Sequence, residues 1–85
     1  MKLTLKYFAS LRETLGPGGT LEWQPGAEPT AGALRAWLRA QSDAHAQALA
    51  PGRAVRVAVD QSLADESAPL HDGAEVAFFP PVTGG

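Results

Sequence analysis

The chain has 85 residues, 45% of them hydrophobic and 19% charged, with a formal net charge of −2. This is the composition of a folded chain, and the length gives one domain near the lower limit of a single core without staples. Cysteine is absent, which excludes disulfides, thiolate metal sites and cysteine nucleophiles. The seven Lys and Arg residues are scattered, which argues against a nucleic-acid footprint. No apolar run approaches membrane-spanning length, and Met1-Lys2-Leu3-Thr4 passes straight into strand pattern, so neither a membrane anchor nor a signal peptide is expected.

In chain order, residues 2–8 alternate, with Leu3, Leu5 and Tyr7 on one face and Lys2, Thr4, Lys6 and Phe8 on the other, which predicts a half-buried strand. Phe8 is the apolar exception on the polar face. Ala9 to Leu15 suits a short helix closed by the turn Gly16-Pro17-Gly18-Gly19. That glycine cluster lacks the Lys-Ser/Thr of a phosphate-binding loop. Residues 20–24 alternate again as a second strand, stopped by Pro25-Gly26. Thr30 is a predicted N-cap for a helix from Ala31 to about Gln41. In it, Leu34, Trp37 and Leu38 form an apolar stripe with Arg35 and Arg39 off it, and Trp37 is expected to anchor the core.

Ser42 to Ala50 is Ala-rich and suits a second short helix. His45 within it has no partner at ligand spacing and reads as a surface residue. Val55 to Val59 is a Val-rich strand expected in the sheet interior, followed by a turn and short edge pairing over Asp60 to Leu63. Asp65-Glu66 reads as a pair of solvated loop acids, with nothing apolar nearby to split their pKa values for acid–base work. Pro69 to Gly73 is a turn, and residues 75–79 form the last strand, with Val76 and Phe78 on one face and Ala77 and Phe79 on the other. If Val76 and Phe78 lie under the helix with Leu3 and Leu5, then Phe79, Phe8 and Leu63 gather on the helix-free side as a docking patch.

The last six residues, Pro80-Pro81-Val82-Thr83-Gly84-Gly85, differ in character from the body. Two prolines hold the chain extended, and a glycyl-glycine without side chains fits a narrow tunnel. The expected organisation is a domain over residues 1–79 and a projecting tail over 80–85, with the Gly85 carboxylate as the group that carries chemistry. One helix on one face of a mixed sheet is the two-layer solution for so few residues. The fold class is therefore α+β, in the β-grasp or ubiquitin-like arrangement.

The run from Tyr7 to Glu13, the stretch Pro69-Leu70 with Asp72 to Phe79, and the ending Pro80 to Gly85 resemble the MoaD family of small molybdopterin synthase subunits. The resemblance spans essentially the whole chain, with Asp60 standing where the family commonly carries Asn. It implies that an E1-like adenylyltransferase activates Gly85 with ATP and Mg²⁺, and that a sulfur donor converts the adenylate to a thiocarboxylate. It further implies that the tail, with Gly84 threading, enters the large synthase subunit and gives sulfur to cyclic pyranopterin monophosphate. Phe8, Leu63, Phe79, Pro80, Pro81, Val82 and Thr83 are the implied partner contacts. Two small and two large subunits, a cytoplasmic location and no cofactor or metal held by this chain complete the expectation. A sulfur carrier for thiamin or tRNA thiolation and a ubiquitin-like protein modifier are the alternatives.

Overall fold

The computed structural model describes residues 1–81. The elements are β1 (Lys2–Tyr7), α1 (Ala9–Leu15), β2 (Gly18–Glu22), α2 (Ala31–Arg39), α3 (Asp43–Ala48), β3 (Arg56–Val59), β4 (Ser62–Ala64) and β5 (Glu75–Phe79). The five strands form one sheet in the order β2-β1-β5-β3-β4. β1 and β5 pair in parallel at its centre, and the other pairs are antiparallel. The first and last strands of the fold are thus central neighbours.

One side of this sheet is the core. Leu3, Leu5 and Tyr7 of β1, Val57 of β3, and Val76 and Phe78 of β5 pack there against Leu11 of α1, Leu34 and Leu38 of α2, and Ala48 and Leu49 at the end of α3. Register explains the shared face: Leu5 sits beside Val76, Tyr7 beside Phe78, and Val57 across from Phe78. The Tyr7 and Phe78 rings stack with centroids 6.3 Å apart. Burial pushes the Tyr7 phenol up to about 12, and its hydroxyl is buried without a hydrogen-bond partner.

β2 starts and ends two residues before the expected 20–24, because part of the glycine cluster is strand and not turn. Gly18 lies across from Lys6, with φ +102° and so close to β1 that a Cβ would sit 2.1 Å from the Leu5 carbonyl oxygen. No side chain fits there. Trp23 then leaves the strand, donates its N–H to the Met1 carbonyl at 2.8 Å and buries its indole in the core.

α2 begins as its sequence predicts. The Thr30 hydroxyl accepts the Ala33 N–H at 3.1 Å, and the Ala31 and Gly32 N–H groups donate to the carbonyls of Ala68 and Glu66. Gly32 packs closely there: a Cβ would sit 3.0 Å from the Glu66 Cβ and carbonyl oxygen, so a side chain would have to push Glu66 aside by a few tenths of an ångström. The helix ends at Arg39, two residues short of expectation. Trp37 is only partly buried at the core edge, so it is a lesser anchor than expected.

Arg35 is the larger correction. Expected off the apolar stripe, it is 5% exposed. Its Nε donates to the Leu49 carbonyl at 2.9 Å, and one terminal nitrogen donates to the carbonyls of Ala50 at 2.6 Å and Arg53 at 3.1 Å. The other meets the Glu66 carboxylate at 3.3 Å. A buried guanidinium needs its donors satisfied, and the chain after α3 supplies three carbonyls. Arg35 thereby ties α2 to the α3–β3 connection and to the loop before β5.

Candidate functional site

The side of the sheet turned away from the helices is where the sequence-predicted patch lies. Side chains alternate along each strand, so the residues opposite the core set are fixed by register. Lys6, Ala77, Ala58 and Leu63 are successive neighbours across β1, β5, β3 and β4. Next to that row, Phe79 lies across from Arg56. Phe8 continues β1 past its last residue and donates its N–H to the Phe78 carbonyl at 3.2 Å, on the same side as Lys6 by alternation. Phe8 is 44% exposed and Leu63 67%, the large exposed hydrophobics among the described residues. Phe79, Pro80 and Pro81 are half-buried.

Local chemistry explains the display. Phe8 is the N-cap of α1 in extended conformation, and Ala9 follows with φ 53°, the left-handed region that non-glycine residues seldom occupy. The chain therefore turns abruptly into α1 after Phe8, leaving the ring on the bare side. Leu63 sits on a three-residue edge strand joined to β3 through Asp60 and Gln61, with φ 50° and 68°. These angles fit the tight hairpin that Asp and other short polar residues tolerate.

Ala77, placed with Phe79 by strand parity, and Ala58, not singled out in the sequence, form the low floor between Phe79 and Leu63. Ala77 is 6% exposed but lies outside the core cluster. Lys6, ion-paired with Glu75 at 3.0 Å, and exposed Arg56 border this floor. Strand parity alone could have flagged these residues, but parity does not say which strands are neighbours. Val82, Thr83, Gly84 and Gly85, expected to carry the tail contacts and the reacting carboxylate, lie outside the described residues.

Asp60 holds the far end of the sheet. Its carboxylate accepts the Glu75 N–H at 3.0 Å and the His71 Nε2–H at 2.6 Å. The Glu75 N–H, then His71, holds the Asp60 carboxyl below its usual range. His71 Nδ1 faces the Asp72 carbonyl at 2.9 Å. With an acceptor at each ring nitrogen, the doubly protonated imidazolium is the form that fits, and Asp60 first, then the Asp72 carbonyl, raises the His71 pKa. His45, read as a lone surface residue, is half-buried, its Nδ1 2.7 Å from the Ser42 hydroxyl that caps α3. Asp65 and Glu66 are exposed; Asp65 accepts from the Ser67 hydroxyl and N–H, while Glu66 serves Arg35. Among the described residues no group of three or more His, Asp or Glu side chains is arranged to hold a metal ion, and no helix is long and apolar enough to cross a membrane.

A mixed sheet with parallel first and last strands at its centre, helices on one side and an apolar patch on the other, defines a ubiquitin-like β-grasp protein. The family model described as the ThiS family matches residues 5–85. The chain is 49% identical over 80 residues to the molybdopterin synthase sulfur carrier subunit of Escherichia coli, covering 93% of this chain and 94% of the relative. It is 39% identical over 83 residues to the Haemophilus influenzae protein of the same name, covering 98% and 99%. The complex of subunits 1 and 2 of the molybdopterin-converting factor from Helicobacter pylori contains a chain with the same fold, at TM-score 0.67 and 22% identity, covering 100% of both chains. The chain belongs to the ThiS/MoaD family.

Proposed function

We propose that this chain is the sulfur carrier subunit of a molybdopterin synthase. The observation that carries the reading is 49% identity, over nearly the full length of both chains, to a relative of that name. The bare apolar face and the Gly-Gly ending add chemical sense to it. A carboxylate is a poor electrophile until a good leaving group is attached. In this reading an E1-like enzyme, using ATP and Mg²⁺, joins the Gly85 carboxylate to AMP with loss of pyrophosphate. Sulfide supplied by a sulfur donor attacks the acyl carbon, forms the C–S bond as the bond to AMP breaks, and leaves a thiocarboxylate with no change of oxidation state. Dividing one difficult transfer among covalent intermediates is the logic of nucleophilic catalysis. A chain without cysteine has no thiol on which to carry a persulfide, which favours the terminus as the cargo site.

The body acts as a handle. Phe8, Leu63 and Phe79 dock on the large synthase subunit, and residues 80–85 act as a separate tail. Pro80, Pro81, Val82 and Thr83 line the path by which Gly84 and Gly85 reach the partner's active site. There the thiocarboxylate gives its sulfur to cyclic pyranopterin monophosphate. The assembly is two small and two large subunits, in the cytoplasm.

The test is intact mass spectrometry after incubation with the activating enzyme, ATP and a sulfur source. The expected product has one oxygen replaced by sulfur at Gly85, and deletion of Gly85 abolishes it while the fold persists. A chain that loads sulfur equally well without its final glycines would overturn the reading. Formation of molybdopterin with the large subunit, and not of a thiolated tRNA or thiamin precursor, identifies the recipient.

A further inference from the structure

Among the described residues, the bare face holds a cation beside Phe79 that makes no ion pair. Lys6 is paired with Glu75 at 3.0 Å, and Lys2 stands directly across from Glu22. That cation is Arg56, whose neighbour on β5 is Phe79. The β3–β4 register continued one step brings Asp65 across from Arg56, but no ion pair forms between them. The Asp65 carboxylate is already held by the Ser67 hydroxyl and N–H.

Arg56 is exposed, and in the free chain water satisfies it. A partner that covers Phe79 changes its surroundings. The guanidinium then lies at the rim of a dry contact, where it stays at the water's edge or meets a group of opposite charge. Its planar fork of donors matches a carboxylate through two parallel hydrogen bonds. Aromatic residues and arginines are also the residues most often found to carry interface energy.

We propose that Arg56 is a specificity-determining contact of this chain, meeting a carboxylate side chain on the large synthase subunit beside the pocket that receives Phe79. The inference rests on the reading of the chain as the small subunit and adds the charge that its partner presents. Charges at an interface rim act chiefly on the rate of association and its salt dependence.

The experiment measures association and dissociation of the full-length chain with the large subunit from low to high salt. Arg56→Ala slows association about three- to tenfold at low salt and flattens the salt dependence, with a smaller change in dissociation. Arg56→Glu slows association further, and Arg56→Lys retains most of the wild-type rate. A single Asp or Glu→Lys change on the large subunit restores association of Arg56→Glu. Thermal unfolding checks that each variant is folded, and Arg56→Gln replaces Arg56→Glu should the latter unfold. Wild-type rates and salt dependence in the Ala and Glu (or Gln) variants overturn the inference. If Phe79→Asp still loses binding in that case, the carrier reading stands without it. A wild-type chain that does not bind the large subunit overturns both.

Discussion

β5 places two pairs of side chains on opposite sides of one strand, and the pairs have different fates. Val76 and Phe78 are 0% and 1% exposed beneath the helices. Ala77 and Phe79 face the side that no helix covers, where Ala77 is shielded by its neighbours and Phe79 is half-buried. The strand is apolar on both sides because both are built to be covered, one by this chain and the other, in the proposed function, by a partner. Apolar residues on a helix-covered side are explained by folding. The same residues on a bare side, clustered with Phe8 and Leu63, need an occupant.

Substitutions on the two sides should therefore separate stability from binding. The largest effect is expected from Phe78→Ala, which destabilises by about 3–5 kcal/mol through lost transfer energy and a cavity. That is a large share of the stability of so small a domain, and it is read as a fall in the denaturant midpoint. Arg35→Met keeps the stem but strips partners from three carbonyls, at a loss of about 2–3 kcal/mol by the same assay. Leu63→Asp should leave the denaturant midpoint within about 0.5 kcal/mol of wild type while weakening large-subunit binding by at least about tenfold. A Leu63 variant that unfolds, or that binds normally, breaks the contrast between the sides. Tyr7→Phe removes a buried hydroxyl without a partner and is expected to stabilise by up to about 1 kcal/mol.

The smallest effect lies at the sheet end. His71 has a raised folded pKa, so its contribution is fully present below the unfolded value of 6.5 and fades as pH climbs through the folded value. Asp60 has a lowered one, so its contribution is present above 3.8 and is lost as pH falls through its folded value. The pair thus helps most between these limits. The melting-temperature advantage of wild type over His71→Gln should shrink as pH rises above 6.5. An advantage independent of pH would show that the imidazolium plays no part.

Most of the fold was readable because period and punctuation agreed: alternation in β1 and β5, the Thr30 cap and the Leu34–Leu38 stripe, and the Asp60 turn. What escaped depended on contacts distant in sequence. Arg35 looks like a solvent-facing charge until the carbonyls of Leu49, Ala50 and Arg53 come within reach. Gly18 looks like a turn residue until β1 presses against it. In the candidate site, Phe8, Leu63 and Phe79 were legible as apolar residues at polar-face or edge positions. Ala77 was placed on their side by parity, but Ala58 was not, and neither could be read as part of a floor until the order of strands was known. Arg56 was silent for the same reason: its isolation is a property of its neighbours.

The parallel pairing of β1 with β5 has a kinetic consequence. The sheet cannot close until β5 has been synthesised and has slotted between β1 and β3, so the centre of the structure waits for the last strand of the fold. Contacts joining opposite ends of a sequence form late and slow the search. A chain that stops short of β5 therefore lacks the central strand of its sheet and cannot complete the core.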